Sequence, residues 1–353
     1  MQLCTALGDE SAAARRALGR PGRRARRRAG TRRADVLRVP VTLMAALPNR
    51  TPAAAEPRRR GIPAEARSVS SADGTSIAYY ATQAPPGART VVLANGLGGP
   101  RLAWRALVDY LGDRYRFITW DYRGLYQSGR PPEGSPDAYA VSRHVEDLKA
   151  ILDAEGVERC ALVGWSMGVQ VSIEAFHRLP GVAEALVLLS GTFGRPLDTA
   201  VPIPLGRRIA QAALEAAERH APRLRTAVRT LAGQPEFVGW MKRAGLMAET
   251  IDEAEFAEVV GMFASLDVEA FAKNLRALGD HDAERLLPTI DVPTLVITGD
   301  RDRMTPRGLS QQMVRRIPKA EMLVVRGGTH YAAVEFPELV GLRIERFFHD
   351  QGF

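Results

Sequence analysis

The pattern of apolar positions changes near residue 67. From there on, short apolar runs alternate with stretches of helical period. Two short runs at 67–70 and 76–82 flank Asp73-Gly74, a turn signal that predicts a β-hairpin. Continuous apolar runs predict buried strands at 90–94, 117–120, 160–163, 185–189, 294–298 and 322–325.

Helical patterns at 101–112, 139–155 and 167–179 separate these strands. Strands that are apolar on both faces indicate a mostly parallel sheet covered by helices on each side. We therefore predict an α/β core made of residues 67–192 and 286–353.

Residues 193–285 interrupt the alternation of strands and helices. They contain several amphipathic helical patterns, at 207–220, 253–266 and 268–278. A helical block between two strands of one sheet is best explained as an insertion, and ligands of such sheets bind outside the carboxyl ends of the strands. We expect 193–285 to form a helical cap over that edge.

The charge of the chain is concentrated at its beginning. The formal net charge is +8, and residues 1–43 hold eleven arginines against three acids, which accounts for the whole excess. The remainder carries equal numbers of basic and acidic side chains. We therefore expect no nucleic-acid binding through the core. Residues 1–66, rich in Arg, Ala, Pro and Gly, are predicted to be disordered.

Several interpretations of this N-terminal segment stay open. Its arginines suit a nucleic acid or an anionic membrane, or a targeting peptide, and Thr31-Arg32-Arg33 faintly resembles a twin-arginine export signal. The interpretation we favour is that translation starts at Met44 and residues 1–43 are not translated. We then expect a cytoplasmic protein, or an exported one if the signal is real.

Other classes of protein are excluded by simple counts. No run of about 18 apolar residues exists, so no transmembrane segment is expected. The two cysteines, Cys4 and Cys160, argue against a disulfide scaffold and against a Cys-rich zinc module. We expect neither a metal nor a cofactor.

The clearest chemical motif is Gly164-Trp165-Ser166-Met167-Gly168. It follows the predicted strand 160–163 and opens a predicted helix, which is the strand–turn–helix setting that exposes a nucleophilic serine. Glycines at both ends permit the tight turn, and the helix N-terminus favours developing negative charge. Ser166 is the predicted nucleophile.

A serine needs a base, and His330 is the best placed of the six histidines. It follows the last strand in Gly327-Gly328-Thr329-His330, whereas His281 is expected in a solvated loop. The orienting acid should come after strand 294–298, where Asp300 and Asp302 compete; we favour Asp302 because it lies deeper in the loop.

A glycine-rich loop, Asn95 to Pro100, follows strand 90–94. Its glycines let main-chain N–H groups approach a ligand. The N–H of Met167, the residue after the nucleophile, and that of Leu97 are the predicted oxyanion donors.

Taken in order, these motifs resemble the α/β-hydrolase superfamily over residues 67–353. The resemblance also rests on Trp120-Asp121-Tyr122-Arg123-Gly124, Pro293-Thr294-Leu295 and Glu335-Phe336-Pro337-Glu338. It implies an α/β-hydrolase fold: an eight-stranded, mostly parallel sheet with a cap after strand six, the triad Ser166, Asp302 and His330, and Leu97 and Met167 as donors. The Gly-x-Ser-Met-Gly form is similar to that of cofactor-free esterases, carbon–carbon bond hydrolases and perhydrolase-type members.

The function expected from these residues is hydrolysis of a carboxylic ester or related small-molecule acyl compound through an acyl-enzyme. Acyl transfer, thioester hydrolysis and carbon–carbon bond hydrolysis remain alternatives, as does a non-catalytic ligand-binding protein of the same fold. The residues expected to contact substrate are Trp165, Trp240, Met262 and Phe263.

Overall fold

The computed structural model describes Pro63 and residues 65–135, 137–200, 205–234 and 236–353. Eight strands, numbered along the chain, are β1 (Arg67–Ser70), β2 (Ser76–Ala81), β3 (Arg89–Ala94), β4 (Tyr115–Trp120), β5 (Cys160–Trp165), β6 (Ala183–Leu189), β7 (Thr294–Gly299) and β8 (Ala320–Val325). They form one sheet in the order β1-β2-β4-β3-β5-β6-β7-β8.

The sheet is mostly parallel, as the sequence predicts. Only β1–β2 and β2–β4 pair antiparallel, and every pair from β4 through β8 is parallel. The hairpin turns at Asp73-Gly74, where Gly74 takes a φ of 84° that favours glycine. The central strands β3, β5 and β6 are almost wholly buried, because helices cover both faces.

The helices are α1 (Arg105–Leu111), α2 (Val141–Ala154), α3 (Met167–Arg178), α4 (Pro196–Ala200), α5 (Gly206–Arg219), α6 (Ala221–Ala232), α7 (Phe237–Arg243), α8 (Glu253–Phe263), α9 (Val268–Asp280), α10 (Arg307–Arg316), α11 (Ala332–Glu335) and α12 (Pro337–Asp350). Helices α2 and α3 belong to the apolar core on one face of the sheet. Helices α1 and α12 belong to the core on the other face.

The region predicted as a single helix at 101–112 is split. A 3-10 turn at Arg101–Trp104 precedes α1. The tighter turn buries Trp104, whose indole N–H donates to Asn95 Oδ1 at 2.6 Å. The apolar periodicity of this region does not predict this bond, because the acceptor Asn95 lies nine residues before Trp104.

Helices α4 to α9 all lie between β6 and β7, within the range predicted for the cap. A small apolar cluster built on α7 and α8 packs against Leu102 and Tyr331 of the core. Asp267 caps the N-terminus of helix α9, because its carboxylate accepts the Ala270 N–H at 3.0 Å. The domain limits 67–192, 193–285 and 286–353 stay a prediction.

His281 is half-buried, with its side chain 15% exposed, whereas the sequence predicts a solvated loop. Its ring contacts Gln170 through Nδ1 and Glu174 through Nε2, the latter at 3.3 Å. The histidine thereby joins the end of α9 to α3, a contact across 107 residues of sequence that a loop assignment does not foresee.

The predictions on residues 1–43, including the start at Met44 and the export signal, lie outside the described residues. Of the predicted disordered segment 1–66, only Pro63, Glu65 and Ala66 are described. Among the described helices, none is long and apolar enough to span a membrane.

Candidate active site

Ser166 sits at a sharp turn between β5 and α3. Its φ of 55° and ψ of −114° are unusual for a residue with a side chain. The turn depends on its flanking glycines. A Cβ on Gly164 would lie 2.2 Å from the Gly168 carbonyl oxygen, and one on Gly168 would lie 2.0 Å from the Ala94 oxygen. The backbone approach at both positions therefore requires glycine.

His330 and Asp302 meet at the carboxyl edge of the sheet, and both side chains are buried. His330 Nδ1 lies 3.0 Å from Asp302 Oδ2. Asp300 is exposed instead, and its Oδ1 accepts the Gly327 N–H at 2.7 Å. Of the two competing carboxylates, the structure brings Asp302 to the histidine and uses Asp300 to fix the neighbouring loop.

The Asp302 carboxylate is held by the residues that follow it. Its Oδ1 accepts the Met304 N–H at 2.9 Å and the Thr305 N–H at 2.8 Å, while the Thr305 hydroxyl donates to Oδ2 at 2.7 Å. These bonds fix the orientation of the carboxylate beside His330.

Trp165 connects the serine turn to the histidine loop. Its Nε1–H donates to the His330 carbonyl at 3.0 Å, and its ring packs between Trp104 and Tyr331. The side chain is buried, so little of its surface is free for the substrate contact expected from the sequence. What the geometry shows for Trp165 is a link between the two loops.

The glycine-rich loop lies directly against the nucleophile. A Cβ on Gly96 would be 3.2 Å from Ser166 Cβ, so the main chain passes within contact distance of the serine. Leu97 follows Gly96, and Met167 is the first residue of α3, where N–H groups lack partners within the helix. Both predicted donors thus belong to segments next to Ser166.

Side chains support this loop from below. Asn95 donates its amide N–H to the Trp120 carbonyl at 2.7 Å, and the Tyr122 hydroxyl donates to the Asn95 carbonyl at 2.7 Å. The Tyr126 hydroxyl donates to the Gly98 carbonyl at 2.6 Å. The loop is therefore fixed on β4 and on the segment after it.

The segment between β6 and β7 contributes apolar side chains over the loop. A Cβ on Gly98 would meet Phe263 and Leu266 at 2.9 Å and Phe271 at 3.0 Å. Phe263 thus lies against the glycine-rich loop, and its role as a substrate contact stays a prediction. Met262 is half-buried beside it on α8. Trp240 is 43% exposed on α7, which packs on α8.

Three residues of the site were missed by sequence reasoning. Thr305 bonds Asp302, and the spacing Asp-x-x-Thr is the signal that points to it. Tyr331 packs on His330, Trp165 and Phe256, and burial raises the pKa of its phenol.

Glu335 is the third, and it is buried. It accepts the Thr329 N–H at 2.7 Å, the Thr329 hydroxyl at 2.6 Å and the Ala248 N–H at 2.7 Å. The carboxylate therefore ties the histidine loop to the helical insertion, a role without a local sequence signal. Within the described ranges, no group of three or more His, Cys, Asp or Glu side chains is arranged to hold a metal ion.

Comparison with known proteins agrees with this architecture. Residues 89–337 match the family model for the alpha/beta hydrolase fold. The chain is 26% identical over 262 residues to a provisionally named carbamate hydrolase, RutD, of Yersinia enterocolitica, covering 71% of this chain and 84% of that protein. It is 27% identical over 269 residues to the RutD counterpart of a Caulobacter species, covering 73% and 90%.

Solved structures show the same fold. A hydrolase from Pseudomonas aeruginosa superposes with a TM-score of 0.65 at 24% identity, covering 81% of this chain and 98% of that one. An esterase from a Rhodococcus species gives a TM-score of 0.63 at 25% identity, covering 80% and 98%. With the family model matching about 70% of its length and the sheet order found above, this chain belongs to the α/β-hydrolase family.

Proposed function

We propose that the protein is a serine hydrolase that cleaves a carboxylic ester or a related small-molecule acyl compound. The observation that carries the proposal is the buried contact of His330 Nδ1 with Asp302 Oδ2 at 3.0 Å, beside a strained Ser166 turn. This arrangement leaves Nε2 of His330 as the nitrogen that serves the serine.

In the proposed reaction, Ser166 Oγ attacks the substrate carbonyl carbon while His330 Nε2 takes the hydroxyl proton. The tetrahedral intermediate collapses, and His330 returns that proton to the leaving alcohol. Water, deprotonated by His330, then releases the acid and restores Ser166. Asp302 keeps Nδ1 protonated and stabilises the imidazolium.

The oxyanion of the intermediate is assigned to the N–H groups of Leu97 and Met167. Each such donor contributes about 3 kcal/mol to transition-state stabilisation in serine hydrolases. The loop supports from Asn95 and Tyr126 hold the Leu97 segment in place before substrate binds, so little reorganisation is needed.

The apolar residues near Gly98 favour an acyl or alkoxy group with apolar surface. Phe263, Leu266 and Phe271 lie closest to the loop, with Met262 next to Phe263. We propose Phe263 and Met262 as substrate contacts, with Trp240 as a further candidate at the outside of the insertion and Trp165 acting mainly through His330.

Carbamate hydrolysis is the second candidate, because the relatives named above carry that name. A carbamate presents the same carbonyl to Ser166 and differs in the nitrogen attached to it. Comparing kcat/KM over matched ethyl esters, thioesters, lactones and carbamates separates the candidates, and adding an alcohol acceptor reports acyl transfer.

The catalytic assignment is tested with a fluorophosphonate probe and p-nitrophenyl acetate. We expect labelling and hydrolysis in the native protein and loss of both in Ser166→Ala, while Ser265→Ala, an exposed serine on the insertion, behaves as native. Labelling that persists in a folded Ser166→Ala variant contradicts the assignment. Absence of activity on every substrate class favours the non-catalytic alternative.

The acid is tested by a matched pair of substitutions. We expect Asp302→Asn to lower kcat about 10⁴-fold, because His330 then loses the partner that fixes its tautomer. Asp300→Asn keeps an acceptor for the Gly327 N–H and should stay within a few-fold of native. The reverse order of effects would reassign the acid.

A further inference from the structure

Helix α6 is the most exposed helix of the insertion. Apart from Ala221, Val228 and Ala232, all of its residues are exposed, including Leu224 at 37% and Leu231 at 49%. A 12-residue helix with so little burial gains little stability from packing on the rest of the molecule. Such a surface is a place to look for an external partner.

The charge of α6 is entirely positive. Arg223, Arg225 and Arg229 are exposed, and the helix contains no acidic residue. None of the three forms an ion pair with any residue that the structure describes. Other arginines of the insertion are paired, as with Arg207 and Asp280 at 2.5 Å or Arg276 and Glu218 at 3.3 Å. Arg208, Arg219 and Arg243 also lack an ion pair with the described residues, but they are spread over α5 and α7, whereas α6 carries three such arginines on one helix.

The arginines also bracket an apolar stripe. Leu224, Val228 and Leu231 follow the i, i+4, i+7 spacing of one helix face. Arg223 and Arg225 lie on either side of that face, about 100° from Leu224 in each direction at the helical period. Leucines flanked by cations are the pattern of a helix lying in a membrane interface, where leucine enters the acyl boundary and arginine meets phosphate.

We propose that α6 docks the protein onto an anionic lipid surface. Charge complementarity favours this partner, because the three arginines without ion pairs suit lipid phosphates. The apolar surface of the exposed leucines would stay uncovered on a purely polar anion such as a nucleic acid. The exposed Leu205, which directly precedes the neighbouring α5, and the exposed Ile209 of α5 add apolar surface to the same pair of helices. This proposal is independent of the reaction at Ser166.

The first test is sedimentation of the full chain with vesicles of phosphatidylglycerol and phosphatidylcholine in equal parts. We expect binding that pure phosphatidylcholine does not give. The triple variant Arg223→Gln, Arg225→Gln, Arg229→Gln should bind at least about tenfold more weakly. The matched control Arg307→Gln, Arg315→Gln, Lys319→Gln removes the same charge from exposed positions around α10 that form no ion pair within the described ranges, and it should bind nearly as native.

A reporter on the helix separates α6 from the arginine-rich N-terminal residues, which are present in every variant. Leu224→Trp should be quenched by brominated phosphatidylglycerol vesicles. Leu342→Trp on α12, matched at 38% exposure, should not be. Equal quenching at both positions, or equal vesicle binding by the two triple variants, overturns the proposal.

The other possible occupants give distinct results. If Leu224→Ser with Leu231→Ser turns a dimer into a monomer in light scattering and leaves vesicle binding intact, the surface pairs with a second copy of the chain. If the Arg223, Arg225, Arg229 variant loses binding to a DNA duplex but not to vesicles, the partner is a nucleic acid. Either result rejects lipid docking.

Discussion

The carboxylate of Asp302 is oriented by its own turn. Two main-chain N–H groups occupy Oδ1, and the Thr305 hydroxyl shares Oδ2 with His330. A buried carboxylate with these donors has one favourable orientation, and that orientation faces the imidazole. The orientation of the Asp302 carboxylate therefore rests partly on the buried hydroxyl of Thr305.

Replacing Thr305 by valine should lower kcat about tenfold or more, since a hydrogen bond to a charged group contributes about 1.5–3 kcal/mol. Thr305→Ser keeps the hydroxyl and should restore most of the activity. The measurement is kcat on p-nitrophenyl acetate together with an unfolding midpoint for each variant. A valine variant within twofold of native would show that the main-chain donors suffice.

Asp121 is a buried carboxylate next to the loop of the site. It accepts from the Tyr80 hydroxyl at 2.9 Å and the Gln127 N–H at 3.2 Å, yet burial raises its pKa to about 6. The unfolded pKa is about 3.9. Between these values the folded chain binds a proton that the unfolded chain does not, so this group's contribution to stability falls as pH rises from about 4 to 6.

Asp121→Asn should remove that contribution. As pH rises from 4 to 6, the native protein should lose more unfolding free energy than the variant does. The stability of the variant relative to the native protein should therefore increase by about 1–3 kcal/mol by pH 7. Urea titrations at intervals of half a pH unit measure it. A constant difference across this range would mean that Asp121 titrates normally.

At the scale of elements, Arg123 joins parts of the chain that no local signal connects. Its buried guanidinium forms two bonds of 2.7 Å to Asp147 on α2 and one of 2.5 Å to Asp73 in the hairpin turn. Its carbonyl accepts the Asn274 amide of α9 at 3.1 Å. The hairpin, α2 and the helical insertion are thus attached at a single residue.

Asp147→Asn should destabilise the protein by about 3–5 kcal/mol, because it leaves Arg123 buried without its main counter-charge. Asp153→Asn is the control on the same helix, where the carboxylate is 64% exposed and pairs with Lys149. That change should cost less than about 0.5 kcal/mol. Equal losses of unfolding free energy in the two variants, measured by urea unfolding, would show that the Arg123–Asp147 contact contributes no more to stability than the exposed pair.

At the scale of the whole molecule, charge and chemistry are separated along the chain. The net +8 is carried by residues 1–43, whereas the site is assembled from residues between Asn95 and Glu335. Within the later part, α6 concentrates positive charge on the insertion while acids elsewhere balance it. The overall isoelectric point therefore describes neither the site nor its surroundings.

Deleting residues 1–43 should leave kcat/KM on a soluble ester within about twofold of the full chain. The physical reason is that every contact found around Ser166, Asp302 and His330 comes from residues after 70. Steady-state kinetics on both forms, checked by circular dichroism, measure it. A folded truncation that loses activity would assign the N-terminal segment a part in the site.

Much of the fold of this protein follows from local patterns in its sequence. The continuous apolar runs of β3, β5, β6 and β7 lie in strands buried on both faces, so the sheet, its mostly parallel direction and the strand before Ser166 could be predicted from sequence. The run at 322–325 lies in the edge strand β8 and is mostly half-buried. The serine turn is also recognisable from the sequence, because glycines are required where two backbone segments come into contact. What the tertiary structure decided are contacts between distant residues: Asp302 over Asp300, Trp165 holding His330, Glu335 reaching Ala248 and Arg123 binding Asp147. Such contacts depend on how strands and loops are brought together at one sheet edge, and the spacing of residues along the chain carries no information about that distance.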